Sequence, residues 1–195
     1  YDFVRQLAGD KADVRLLLSP GSDPHSYEPT PSDIVAIENC DIFIYNGGES
    51  DEWVDGVLSS IENKNVKVMK MMEYVTLRHE QSMDHNHEHA EHEDMDDNDE
   101  GHDHEEGEEY DEHIWTSPVN AMKLVDVIGD TLAQADPAHA DIYHQGAASY
   151  KKELEEIDAG FREVCVNRKR NMIVMGDKFP FRYLADEYQL DYRAA

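Results

Sequence analysis

The sequence predicts an α/β protein organised as two lobes on parallel sheets, joined by one long helix. Three observations carry that prediction. Strand-length apolar runs alternate with amphipathic helical runs across short loops, as a parallel sheet with crossover helices requires. An apolar stripe at Leu154, Ile157, Phe161 and Val164, spaced by three and four, extends a helix from about Ala138 to Val164, roughly 40 Å at 1.5 Å per residue. Beyond it a fresh strand–helix–strand series opens.

In chain order, residues 2–9 read as the tail of a helix closed by Gly9. Val14 to Leu18 has the length of a strand and is stopped by Ser19-Pro20-Gly21. Thr30 is an N-cap followed by proline at the first helical position, so a helix starts at Pro31 and carries Ile34, Val35 and Ile37. Asp41 to Gly47 is a strand ending in a glycine turn. Asp51 to Ile61 is a helix with Trp53, Val54, Val57, Leu58 and Ile61 on one face. Val66 to Met69 is the next strand. After a polar insertion at 79–112, Ser117 caps a helix that runs from Pro118 to about Ala135, and Asp136-Pro137 begins the long one. Met172 to Met175 is a strand, Phe179 to Tyr188 a helix, and a last strand begins at Leu190. The expected division is an N-terminal lobe over 1–135, a linker helix over 136–166, and a C-terminal lobe begun over 167–195 and truncated. Both ends of the sequence read as cut.

The insertion is the stretch richest in chemistry. Between Glu80 and Glu112 lie seventeen Asp or Glu and no Lys or Arg; without them the formal charge falls from −27 to −10. No apolar periodicity survives there, so the segment lacks the surface to offset its ordering entropy. Six imidazoles, His85, His87, His89, His92, His102 and His104, are interleaved with the acids, and His79 borders them. Solubility needs charge but not imidazole. The mixture suits a borderline divalent cation, zinc above all, and marks an auxiliary metal loop.

Two further histidines stand outside that run. His25 lies among Pro24, Pro29 and Pro31, which stiffen its loop, and His113 stands four residues before the cap at Ser117. Two imidazoles on neighbouring loops can converge on one ion, yet zinc takes about four donors, or three with an open position. The aromatic set Tyr27, Tyr45, Trp53 and Trp115 is expected to pack the core. His139 and His144 are expected at the surface.

Composition excludes several classes. With no basic patch to replace phosphate counterions, nucleic acid is not a partner. No segment approaches the ~20 apolar residues of a membrane span. Cys40 and Cys165 form no CxxC, and each, beside apolar residues, reads as a small buried side chain. There is no His-Glu-x-x-His and no nucleophile beside a partnered base, so the chain is not expected to be an enzyme. The competing readings are a zinc hydrolase using His25 and His113 with Asp177 or Glu28 as base, and a metal store or adhesion protein in which the acidic loop is itself the function.

Asp23-Pro24-His25-Ser26-Tyr27-Glu28-Pro29-Thr30-Pro31 resembles the first metal-ligand motif of the zinc/manganese-type solute-binding proteins of ABC importers. Tyr45-Asn46-Gly47 followed by Trp53 resembles that family's next landmark, and His113-Ile114-Trp115-Thr116-Ser117-Pro118 its second ligand motif. A His/acid-rich insertion before that motif is typical of the zinc members. The resemblance covers essentially the whole chain. It implies a two-lobed architecture like that of periplasmic binding proteins, with a rigid linker helix and the ion held between lobes. It also implies an extracytoplasmic, usually lipid-anchored protein, expected to be monomeric, that hands zinc (manganese in some members) to a membrane permease. One departure stands out. In the stretch Asp177-Lys178-Phe179-Pro180-Phe181-Arg182-Tyr183-Leu184-Ala185, Lys178 falls on the family's third histidine. A protonated lysine cannot bind a cation, whereas Asp177 supplies a hard oxygen one residue earlier. The metal set expected from the resemblance is therefore His25, His113 and Asp177.

Overall fold

The structure, a computed structural model, describes residues 1–19, 21–79 and 110–194. In chain order the elements are α1 (Asp2–Ala8), α2 (Pro31–Glu38), β1 (Ile42–Tyr45), α3 (Trp53–Ser60), β2 (Lys67–Lys70), α4 (Pro118–Ala135), α5 (Ala140–Val166), β3 (Met172–Val174), α6 (Arg182–Glu187) and β4 (Asp191–Arg193). Short 3-10 turns lie between several of them.

Helix starts follow the capping chemistry of the sequence. The Thr30 hydroxyl accepts from the Asp33 amide while the Asp33 carboxylate accepts from the Thr30 amide, a capping box that opens α2 with proline in its first turn. Ser117 accepts from the Asn120 amide and opens α4 in the same way.

β1 and β2 pair in parallel, Ile42 opposite Lys67 and Tyr45 opposite Lys70; β3 and β4 pair in parallel, Met172 opposite Asp191. Side chains on β1 alternate between two apolar layers, as the period of a strand dictates. Phe43 and Tyr45 pack with Ile37 of α2 and Val54 and Val57 of α3. Ile42 and Ile44 pack on the other side with Leu7, Met69, Met71, Ile114, Leu124, Val125, Ile128, Tyr143 and Leu154. That second layer is where α1, α4 and α5 meet. At the α1–α5 crossing a Cβ on Gly146 would fall 2.6 Å from the Leu7 carbonyl oxygen, so only glycine permits the approach.

Three local expectations are corrected. Val14 to Leu18 joins no sheet among the described residues. A strand needs a ladder partner, and Arg15 instead turns to Asp33 Oδ1 at 2.8 Å. The helix expected from Phe179 starts only at Arg182, because Pro180 offers no amide and holds Phe179 out of the helical region. Trp115, expected in the core, is 48% exposed and borders a cavity of about 310 Å³ with Ile44, Met71, Leu124 and Ile128. The long helix is present, shifted to Ala140–Val166. Among the described residues no helix is long and apolar enough to cross a membrane.

Candidate metal centre

His25 and His113 are 88 residues apart in sequence, and their rings lie 5.7 Å apart between centroids with planes tilted by 55°. Two imidazoles bound to one tetrahedral zinc at about 2.0–2.1 Å have centroids roughly 5 Å apart. The pair is therefore near the spacing that one ion demands.

Each ring is placed by the same local device. Asp23 caps the turn Pro24–Ser26 by accepting from the His25 amide at 3.0 Å. Asp111 accepts from the His113 amide at 2.8 Å. Both are Asp-x-His turns, in which a carboxylate two residues upstream fixes the backbone of the histidine.

The rings are then oriented through Nδ1. His25 Nδ1 is 2.8 Å from the Ser50 hydroxyl, and His113 Nδ1 is 3.1 Å from Asp111 Oδ1. A carboxylate on one ring nitrogen fixes the tautomer and strengthens the other nitrogen as a donor to a metal. Glu112 braces the Ser50 side. Its Oε1 accepts from the Ser50 amide at 2.7 Å, its Oε2 lies 3.9 Å from His25 Nδ1, and its carbonyl accepts from Asn46 Nδ2 at 2.8 Å. Consecutive acids, Asp111 and Glu112, thus serve one histidine each.

Glycine makes room for that brace. Gly48 has φ +88°, and a Cβ there would meet Glu112 Cγ at 2.5 Å. Next to it, the Gly47 amide donates to Asp51 Oδ2 at 2.8 Å. Burial, followed by the charge of Glu112, pushes the Asp51 carboxyl above the usual carboxylate range. The surroundings are acidic and suit a cation.

The other expected donors are not gathered here. Among the described residues no group of three His, Cys, Asp or Glu stands close enough to hold a metal. Asp177 is exposed, and its Oδ1 accepts from the Lys178 amide at 2.7 Å. His85, His87, His89, His92, His102 and His104 lie outside the described residues. His79 stacks on Tyr110 with centroids 4.6 Å apart, at the neck of the insertion. The insertion boundary drawn at 79–112 takes in Asp111 and Glu112, which belong to the centre rather than to the loop. His139 and His144 bond Asp136 and Asp130 at the surface of the α4–α5 pair.

The profile of the family described as zinc-uptake complex component A, periplasmic (ZnuA), matches residues 1–195. The chain belongs to the ZnuA family. That description names an uptake component rather than a catalyst. The chain is 34% identical over 193 residues to the zinc-binding lipoprotein AdcA of Streptococcus pneumoniae R6, covering 97% of this chain and 36% of the relative. It is 33% identical over 190 residues to the high-affinity zinc uptake system protein ZnuA of Bacillus subtilis, covering 97% and 56%. It therefore spans little more than half the length of these curated relatives, or less. The crystal structure of the Zn(II)-bound ZnuA-like domain of S. pneumoniae AdcA superposes with a TM-score of 0.79 at 30% identity, over all of this chain and 62% of that one. The metal-dependent lipoprotein YcdH of B. subtilis gives 0.80 at 27% identity. The α/β, binding-protein-like fold class read from the sequence stands.

Proposed function

We propose that this chain forms the zinc-capturing part of an extracytoplasmic solute-binding lipoprotein that hands its ion to an ABC-type membrane permease. The observation that carries the reading is the convergence of His25 and His113, each held by a bond at Nδ1. With those nitrogens committed, ligation falls to Nε2 of each ring. The relatives' names, which print zinc, uptake and a lipoprotein, support the reading, and the family's description as one component of an uptake complex supports a membrane partner. A nucleic-acid partner has no place in this reading, and the protein acts as a monomer.

Residues 1–135 form the lobe that presents both histidines, 136–166 the linker helix, and 167–195 the start of a second lobe. Asp177 approaches from that second lobe as a third, harder donor. The histidines of the insertion supply weaker sites that raise the zinc concentration near the centre. The insertion carries no apolar periodicity that would build such a site in advance, whereas the His25–His113 pair is preformed.

Zinc titration of the intact protein tests the reading. His25→Ala and His113→Ala each lower affinity on the order of 100-fold, about 2.7 kcal/mol, with the fold unchanged by circular dichroism. Tight binding retained in both variants rejects it. Removing residues 80–109, which spares Asp111, eliminates only the weak multiple sites.

A further inference from the structure

The Tyr183 side chain, on α6, is buried, and its hydroxyl is bonded on both sides. It accepts from the Arg78 amide at 3.2 Å and donates to the Asp111 carbonyl at 2.8 Å. Arg78 and Asp111 are themselves paired, the Asp111 amide donating to the Arg78 carbonyl at 2.8 Å. One phenol oxygen thus closes the neck between two segments and ties it to a helix more than 70 residues further along the chain. A second tie runs beside it, Arg78 Nε to Asp186 Oδ2 at 3.2 Å.

The backbone that Tyr183 holds belongs to the residue that orients His113. The Asp111 carbonyl accepts from the phenol, and its carboxylate accepts from the His113 amide and lies 3.1 Å from ring Nδ1. The side chain cannot keep its aim if the backbone beneath it turns. Burial supplies the rigidity, since a phenol enclosed among apolar groups has no water to exchange for these partners.

We propose that Tyr183 is a positioning residue for the metal centre: acting through Asp111, it sets the orientation and tautomer of the His113 imidazole. The inference rests on the reading of His113 as a ligand. It makes α6 a contributor to zinc affinity although α6 supplies no ligand of its own. Helix α6 lies on the far side of the linker helix from both histidines in sequence, so the bond also couples the second expected lobe to the geometry of the first.

The test is zinc titration of the intact protein in a double-mutant cycle. Tyr183→Phe keeps the ring that fills the core and removes only the hydroxyl, and it is expected to raise Kd about five- to tenfold. In an Asp111→Asn background the same change should add less than twofold, because the group through which Tyr183 acts is gone. Tyr188→Phe is the control, since its hydroxyl bonds Asp158 of α5 at 3.0 Å, away from the centre; its Kd should stay within twofold of the parent. Long-range imidazole ¹H–¹⁵N spectra of the zinc-free protein add a readout that loss of stability alone does not move. In Tyr183→Phe the His113 signals should shift toward a mixed tautomer while those of His139 stay in place. An unchanged Kd in Tyr183→Phe, equal losses in Tyr183→Phe and Tyr188→Phe, or full additivity with Asp111→Asn overturns the inference. His113→Ala, run alongside, reports separately on the ligand reading: if it binds zinc tightly, that reading has failed, whatever Tyr183 does.

Discussion

Around β1 the apolar side chains are enclosed, whereas beyond the middle of α5 many face outward. Val54, Met69 and Ile114 have no exposed surface, while Val164, Val166 and Val174 are 68–83% exposed. The two regions also treat their metal candidates differently. His25 and His113 are braced by Ser50, Asp111 and Glu112, which are anchored in turn to Asn46 and to the turn at Gly48. Asp177 is bonded to the amide of the next residue. Side-chain geometry is inherited from the packing beneath it, so the closed region presents a preformed pair of imidazoles and the open region an exposed carboxylate.

The largest expected effect contrasts two apolar truncations. Ile114 is fully buried next to His113, so Ile114→Ala should cost about 2–5 kcal/mol of unfolding free energy. Val166→Ala, at an 83% exposed position, should stay within about 0.5 kcal/mol. Urea midpoints at matched m-values decide it, and equal losses would break the contrast between regions.

Next comes an acid dependence inside the closed region. The Thr30 hydroxyl, followed by the Thr30 amide, the Tyr27 phenol and Arg15, holds the Asp33 carboxyl below the usual carboxylate range against the opposing effect of burial. The folded value lies beneath the unfolded value of about 3.9, so the stabilisation is complete above that pH and is lost as pH falls through the lowered folded value. Burial, followed by the bond to Asp33, raises Tyr27 to about 12. Asp33→Asn should cost roughly 1–3 kcal/mol at pH 7 and should flatten the decline in stability below about pH 4. A decline as steep as the parent's would show that other carboxylates govern acid unfolding.

Two glycines sharpen the comparison further. Gly48→Ala forces a side chain into positive φ and against Glu112, costing about 1–3 kcal/mol and weakening zinc binding through Ser50. Gly160, within α5, has nothing within 4 Å of a Cβ, so Gly160→Ala should stabilise by about 0.5–1 kcal/mol and leave zinc affinity alone. Thermal unfolding paired with titration reads both.

These contrasts also explain what could be read from the chain in advance. The Thr30-Pro31 and Ser117-Pro118 helix starts were legible because capping is a local contract between neighbours in sequence. The approach of His25 to His113 was anticipated because each stands in a distinctive motif, Asp23 to Pro31 and His113 to Pro118. The stretch from Val14 to Leu18 misled because a strand is defined by its partner, which a run of apolar residues does not name. Asp111 and Glu112 were hidden among fifteen other acids, where composition argues for solvent. The repeated spacing of Asp23 to His25 and Asp111 to His113 was the one signal that would have separated Asp111 from the run. Tyr183 gave none, since its partners lie 105 and 72 residues away.

The smallest expected effect concerns Asp177. If a carboxylate from the open region completes the centre, it must travel to the pair and be ordered there when zinc binds, and that ordering offsets much of the attraction. Asp177→Ala should therefore weaken zinc only about threefold, some 0.65 kcal/mol, far less than the loss of either histidine. Lys178→Ala should leave affinity unchanged or slightly improve it, because it removes a positive charge beside the donor. The carboxylate also makes the donor set harder than imidazoles alone, so Asp177→Ala should lower manganese affinity by a larger factor than zinc affinity. Parallel titrations with the two metals give the ratio. Equal losses for both metals would assign Asp177 to holding its own turn through the Lys178 amide, and the third donor would then have to be sought elsewhere.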